Sequence, residues 1–530
     1  MGMRVATAMA AAVVLGLASA ADGKTLIYCS DSSPQGFGPQ LWDLGASLDA
    51  VRPVFNRLVE FETGTTQLKP GLAESWIISE DGLTYTFRLR QGVRFHSRGD
   101  FKPTRDFDAD DVLFSFERML KPDHPYHEVS GGTYLYFAGM GMPEIIKSVE
   151  KLDRHTVRFT LNRAEAPFLA DLAMDWASIL SKEFADHLMA AGTPETIDQE
   201  PVGTGPYMFV AYQKDAVIRY RANPDYFRGR QAIDTLIFSI VPDPAIRRAK
   251  LEAGECDVMM APAPADIESL RANPDIVLLE SAGMNVAYVS LNVRKPPLDD
   301  KRVRQAINMA VDKDAIIRAV YLGGAVPAKN PLPPVIWSYN DAITPYPYDP
   351  AAAKTLIAEA GAEGAKIEVW FLPTARSYNP DPKRMGELMQ ADLNAIGLDA
   401  TLMTFDSAEY RKRVVAAEHW MAQGGWIGDN GDPDNFLYVL SCAGAQEPPP
   451  QNNAKWCNAR YDELIRKAKE TADIAARTAL YEEAQRIAHD EAPWLPVAHV
   501  TSYMALRKSV RNYNTGPVAV PNFEGVDKSE

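Results

Sequence analysis

From Val5 to Leu17 the chain runs for 13 residues with almost nothing but apolar and small side chains, behind a single Arg4 and ahead of Ala18-Ser19-Ala20. The length of this run decides its meaning. A helix needs about 20 residues to cross the roughly 30 Å hydrocarbon layer, so this one is too short to anchor the chain. The flanking Arg and the small-x-small pattern are those of a cleaved export signal, and residues 1–21 are expected to be removed. A lipid anchor would require a Cys directly behind the apolar core, whereas Cys29 lies well beyond it. The rest of the 530-residue chain is therefore expected to fold outside the cytoplasm, where disulfides persist. Its length is enough for two to four lobes.

Export gives the four cysteines, Cys29, Cys256, Cys442 and Cys457, a structural reading. Four cysteines allow three pairings. Cys442 and Cys457 flank a loop rich in Pro and Asn (Pro448, Pro449, Pro450, Asn452, Asn453). A local bridge suits that loop and would contribute about 3 kcal/mol through chain entropy. Cys29 is then left to pair with Cys256. No Cys-x-x-Cys spacing occurs, so no zinc site is expected. With 55 Lys and Arg against 70 Asp and Glu, the formal charge is −15. That balance argues against nucleic acid, which is bound through basic patches. It suits a soluble protein that must not adhere to anionic surfaces.

Strand and helix patterns alternate along the chain. Thr84 to Arg90 has the period of two of a half-buried strand and follows a Glu80-Asp81-Gly82 turn; His155 to Leu161 repeats it. Ala109-Asp110-Asp111-Val112 opens a helix with carboxylates in its first turn, where the helix dipole favours them. Gly203-Thr204-Gly205-Pro206-Tyr207 is a tight turn into a meander ending at Tyr220. Further on, Arg302 to Tyr321 reads as one amphipathic helix carrying Val303, Ile307, Ala310, Val311 and Ile317 on its apolar face. Met385, Leu388, Met389 and Ile396 form a second stripe. Helix is expected again from about Arg460 to His489, with a break near Asp473 capping a second segment. The strand-like Leu495 to Met504 follows, so the chain returns to a lobe begun earlier. The fold class is α/β, in lobes that are discontinuous in sequence.

Catalytic signatures are scarce. There is no Gly-x-Ser-x-Gly, no His-Glu-x-x-His and no Walker loop. His124 and His127 are the only closely spaced histidines, and Pro125 between them favours a local role over a metal site. The densest polar cluster is Gly425-Trp426-Ile427-Gly428-Asp429-Asn430-Gly431-Asp432-Pro433-Asp434-Asn435-Phe436. It reads as a turn-rich loop, as a calcium loop with the wrong spacing, or as a ligand loop with Trp426 as a wall and a carboxylate awaiting a cation. Upstream, Thr374 to Pro380 places Arg376 on a loop after the strand-like Ile367 to Leu372. Its guanidinium is either solvated or a fork for a carboxylate.

Taken together these segments resemble the family 5 peptide and nickel extracellular solute-binding proteins, over essentially the whole chain after the signal. The resemblance is carried by Thr25 to Cys29, Ser33 to Phe37, Asn56 to Phe61, Pro70 to Trp76, Ala109 to Val112, Pro167 to Ala170, Gly203 to Pro206 and Pro297 to Ala306. The segments around Arg376 and Asp429 are similar to the dipeptide-binding branch. Ser377 departs from that branch, which has Pro there, and the segment from Cys442 to Cys457 differs in sequence.

The resemblance implies a periplasmic-binding-protein-like flytrap with two main lobes and an extra domain. Lobe I would comprise 24–56, 204–283 and 502–530, the extra domain 57–203, and lobe III 284–501. Arg376 would hold a peptide carboxylate and Asp429 an α-ammonium group, on opposing loops, with Tyr378, Trp426 and Gly428 around them. The implied protein is a monomeric, non-enzymatic periplasmic carrier without cofactor or metal. It would capture dipeptides or other short peptides and pass them to a membrane ABC importer. Alternative cargoes are a longer peptide, a glutathione-like molecule, haem or a nickel chelate. An exported hydrolase is the rival from another class.

Overall fold

A computed structural model describes residues 23–42, 45–446, 451–516 and 520–529. The expected signal at 1–21 and the prolines at 448–450 lie outside the described residues.

A sheet of twelve strands forms the spine of the molecule. In one half, Thr25–Ser30 lies parallel between Thr235–Ile240 and Val258–Met260, and Val217–Ala222 and Tyr207–Gln213 continue outward antiparallel. In the other half, Lys366–Trp370 lies parallel between Asp399–Met403 and Met421–Ile427, and Asn285–Leu291 pairs antiparallel with the latter. All seven residues of Asn285–Leu291 are buried, as expected of a strand covered on both faces.

One strand joins the halves. Trp494–Arg507 pairs through its first residues with Asn285–Leu291 and through its last with Val258–Met260 and Ile276–Ala282. Its burial drops to intermediate at Val500, Thr501, Ser502 and Tyr503, between the two halves. The strand expected at Leu495 to Met504 is thus longer than its local pattern indicated.

A separate four-stranded antiparallel sheet has the spatial order Ala73–Ile78, Thr84–Leu89, Thr156–Leu161, Ile146–Asp153. Its apolar face packs on the helix Ala109–Leu120, with Phe87, Phe116, Phe159 and Trp176 in edge-to-face contact. That helix starts at Asp108, whose side chain accepts from Asp110 N–H while Asp111 bonds back to the Asp108 N–H. This reciprocal cap explains why the acidic cluster opens a helix.

The helix expected over Arg302 to Tyr321 is two helices, Lys301–Ala310 and Lys313–Val320. Val311 is extended, and Asp312 caps the second helix by accepting from Ala315 N–H. A short Asp side chain competes for backbone donors and so favours a new start over continuation. The apolar stripe survives the break because both helices pack on one core, with Val303, Ile307, Ala310, Val311 and Ile317 buried. The break at Asp473 is present as expected, between Ala459–Lys469 and Ile474–Glu491. Cys29 pairs with Cys256 and Cys442 with Cys457.

Candidate functional site

Where the shared sheet passes from one half to the other it forms the floor of a cavity of about 1030 Å³, at the upper end of the range for small-molecule sites. Val500 to Met504 line it from one crossing segment and Met284 and Asn285 from the other. The second crossing turns at Gly283, where a Cβ would stand 2.1 Å from both Val500 O and Asn285 Nδ2. Only glycine allows the two segments to lie so close.

Asp429 enters the cavity from the end of Met421–Ile427. Gly428 turns the chain: its N–H donates to Met284 O at 2.7 Å, and a Cβ there would meet the Phe436 ring at 2.6 Å. Each oxygen of the Asp429 carboxylate accepts one hydrogen bond, Oδ1 from Tyr136 Oη at 3.0 Å and Oδ2 from Asn435 Nδ2 at 3.2 Å. Among the described residues no cation pairs with it. Burial pushes its carboxyl up to about 6, against the opposing effect of the Asn435 and Tyr136 hydrogen bonds. A partly desolvated carboxylate held by neutral donors is a receptor for a cation.

The neighbouring carboxylates are already neutralised. Arg477 Nη2 grips both oxygens of Asp432 at 2.9 and 2.8 Å, and Lys469 pairs with Asp434 at 3.1 Å. These partners remove the calcium reading of the loop, which needs those carboxylates free for the ion.

Arg376 lies at the start of a tight turn closed by reciprocal backbone bonds with Asn379 at 2.8 and 2.9 Å. It is exposed and lines the same cavity. Asn379 is buried and donates to Gln423 Oε1 at 3.1 Å, while Gln423 Nε2 donates to Pro382 O at 2.9 Å. The Arg376 turn is therefore rooted on the strand Met421–Ile427, from which the Asp429 loop also leaves.

Tyr378 and Trp426, expected as walls, are not among the residues lining the cavity. Tyr378 covers Gly425, where a Cβ would fall 2.3 Å from its ring. Trp426 Nε1 donates to Asn435 Oδ1 at 2.9 Å and so orients the amide that holds Asp429. Both side chains remain partly exposed.

The facing side was missed by the sequence reading. Asp175 is gripped by Arg52 at 2.7 Å and Arg57 at 2.8 Å, Arg52 also pairs with Asp49, and all four line the cavity. Burial pushes the Asp49 carboxyl up to about 7 despite Arg52. Arg57 stood in a quoted segment, but nothing local marks a partner more than a hundred residues away. Tyr136 had no signal at all. The histidines are locally engaged: His124 Nδ1 accepts from Tyr126 N–H, and His127 Nδ1 bonds Arg118 O.

Residues 67–447 match the model of the bacterial extracellular solute-binding proteins, family 5 Middle. The dipeptide-binding protein of Escherichia coli (strain K12) is 52% identical over 517 residues, 97% of this chain and 96% of that protein. Haem-binding protein A of Haemophilus influenzae is 50% identical over 511 residues, 96% of this chain and 93% of that protein. The crystal structure of a dipeptide-binding protein from Pseudoalteromonas sp. SM9913 in complex with Met-Leu superposes with a TM-score of 0.82 at 36% identity, covering 96% of this chain and all of that one.

Proposed function

Because the chain belongs to the bacterial extracellular solute-binding proteins of family 5, we propose that its cavity captures a dipeptide, or another short peptide, as a zwitterion. Asp429 takes the α-ammonium group and Arg376 the α-carboxylate. The observation that carries this reading is a carboxylate without a cation partner among the described residues, lining the same cavity as an exposed guanidinium. A bidentate Arg–carboxylate pair suits the second end. Leaving either end charge unpaired in a closed site would cost about 3–5 kcal/mol, so a ligand of the wrong length is penalised at one terminus.

In the same reading the half-sheets and their helices are two lobes, 24–56, 204–283 and 502–530 against 284–501, with 57–203 as the extra domain. The crossing segments at 282–285 and 500–504 are the hinge, and closure presents the loaded protein to a membrane ABC importer. The carrier is a periplasmic monomer and not an enzyme. The dipeptide-binding relatives of Escherichia coli and Pseudoalteromonas support peptide cargo. Haem is the less favoured cargo, since its two propionates are anions and Asp429 would repel them.

Calorimetric titration with a free dipeptide and its N-acetyl and C-amide derivatives tests the assignment. Each block is expected to weaken binding at least about tenfold, about 1.4 kcal/mol, as are Asp429→Asn and Arg376→Ala. Equal affinity for free and blocked peptides would remove the basis of the reading.

A further inference from the structure

Of the large hydrophobic side chains left exposed among the described residues, two line the cavity: Leu322, 58% exposed, and Ile427, 45% exposed. Packing leaves both side chains partly open to the cleft, where each can meet an apolar part of a ligand.

The backbone at Leu322 sharpens the point. The helix Lys313–Val320 ends at Tyr321, and Leu322 follows at φ +50°. The next N–H, that of Gly323, turns back to Ile317 O at 3.2 Å. In such a helix end the left-handed position is normally glycine, because a side chain there is strained. This chain instead puts a bulky leucine at the strained position and glycine one residue later. The side chain stays 58% exposed despite that strain.

Each residue is linked to one charged end. Ile427 and Asp429 are two apart and both line the cavity, while the Cβ direction of Gly428 between them is filled by Phe436 and Met284. Ile427 therefore adjoins the cation receptor. Tyr321, next to Leu322, donates its hydroxyl to Tyr378 O at 3.0 Å, inside the Arg376 turn. The helix end that carries Leu322 is therefore tied to the turn that carries the guanidinium, and both residues line the cavity.

We propose that Ile427 and Leu322 read the two side chains of a bound dipeptide, Ile427 the first and Leu322 the second, and that the preferred ligands carry apolar side chains at both positions. This rests on the zwitterion reading above. Contact with one additional apolar group of a ligand is worth roughly tenfold to two-hundredfold in discrimination.

The test is calorimetric titration of the full chain with Ala-Ala, Leu-Ala and Ala-Leu. The wild-type protein is expected to bind each leucine peptide about tenfold more tightly than Ala-Ala. Leu322→Gly, which suits the left-handed backbone, erases the preference for Ala-Leu and keeps that for Leu-Ala. Ile427→Thr does the reverse, and the Ala-Ala affinity of each variant reports that its fold and charged ends are intact. Equal affinities in the wild type, or preferences that persist in both variants, overturn the proposal. If Ala-Ala binds equally well with blocked termini, the zwitterion reading fails and this one with it; crossed preferences lost together with normal Ala-Ala binding sink only the assignment of side chains to Ile427 and Leu322.

Discussion

The side-chain amide of Asn285 copies a strand's backbone against Val500: its Oδ1 accepts from Val500 N–H at 2.8 Å, and its Nδ2 donates to Val500 O at 2.9 Å. The pair ties the two segments that cross between the half-sheets at the floor of the cavity. His499 Nδ1 bonds Asn285 O at 2.8 Å, which closes the junction further.

Asn285→Ala removes both bonds at once and leaves the Val500 groups to water or to nothing. We expect a loss of about 1–3 kcal/mol in stability, read as a lowered urea midpoint with an unchanged slope. Gly283→Ala should cost more, because its Cβ has no room beside Val500 O. A midpoint unchanged in both variants would show that the junction contributes nothing to stability.

The same junction shows what sequence could and could not carry. Alternation in Leu495 to Met504 was enough to read a strand, and Asp473 was enough to read a helix cap. Neither says that Trp494–Arg507 serves two half-sheets, since pairing partners lie more than two hundred residues away. The break at Asp312 was visible in principle but hidden by an apolar stripe that continues across it. At the cavity, Arg376 and Asp429 stood out because Arg and Asp on loops after strands are chemically pointed. Tyr136 and Asp175 did not, because their meaning comes entirely from Asp429, Arg52 and Arg57, brought to them by the fold. Trp426 and Tyr378 were read as walls because aromatic rings beside a charge suggest contact with ligand. The fold adds that Trp426 orients Asn435 and Tyr378 covers Gly425, contacts that no local pattern announces.

Peptide affinity should depend on pH through Asp429. In the free protein burial holds its carboxyl at about 6, and only the anion pairs with an ammonium group. Affinity is expected to be highest near pH 7, to fall towards tenfold per unit below about pH 6 with proton uptake on release, and to fall again above about pH 8 as the ligand's α-ammonium group loses its proton. The stability of the ligand-free protein runs the other way. A carboxyl raised by folding favours the neutral form, so its contribution is full below the ordinary Asp range and is lost as pH rises through about 6. Asp49, pushed up to about 7 beside Arg52, titrates in the same cavity, and Asp429→Asn separates the two. Titration in buffers of different ionisation enthalpy should show proton release on binding near pH 6 in the wild type and none from this group in the variant. A pH profile that Asp429→Asn leaves intact would assign the dependence elsewhere.

The loop that carries Asp429 is held in shape by a buried ion pair one turn further on. Asp432 is tied into the turn from Asn430 to Asp434 as well as to Arg477: its N–H donates to Asn430 Oδ1 at 3.0 Å, and its Oδ1 accepts from Asp434 N–H at 3.0 Å. Arg477 is almost fully buried and lies 5.3 Å from the Trp337 ring centroid. Asp432→Ala therefore strands a guanidinium in the interior, and we expect a loss of about 3–5 kcal/mol. Arg477→Met alone strands the carboxylate and should cost a similar amount. Together the two changes remove both partners of the pair and strand neither, so the double variant should recover much of the stability lost in either single one, a coupling that a denaturation cycle measures directly. Binding should not recover with it. The backbone turn at Asp434 still lacks its Asp432 acceptor, and the loop that aims Asp429 stays loose in a protein that is otherwise well folded. Recovery of peptide affinity along with stability would mean that the ion pair supports the fold without shaping the loop.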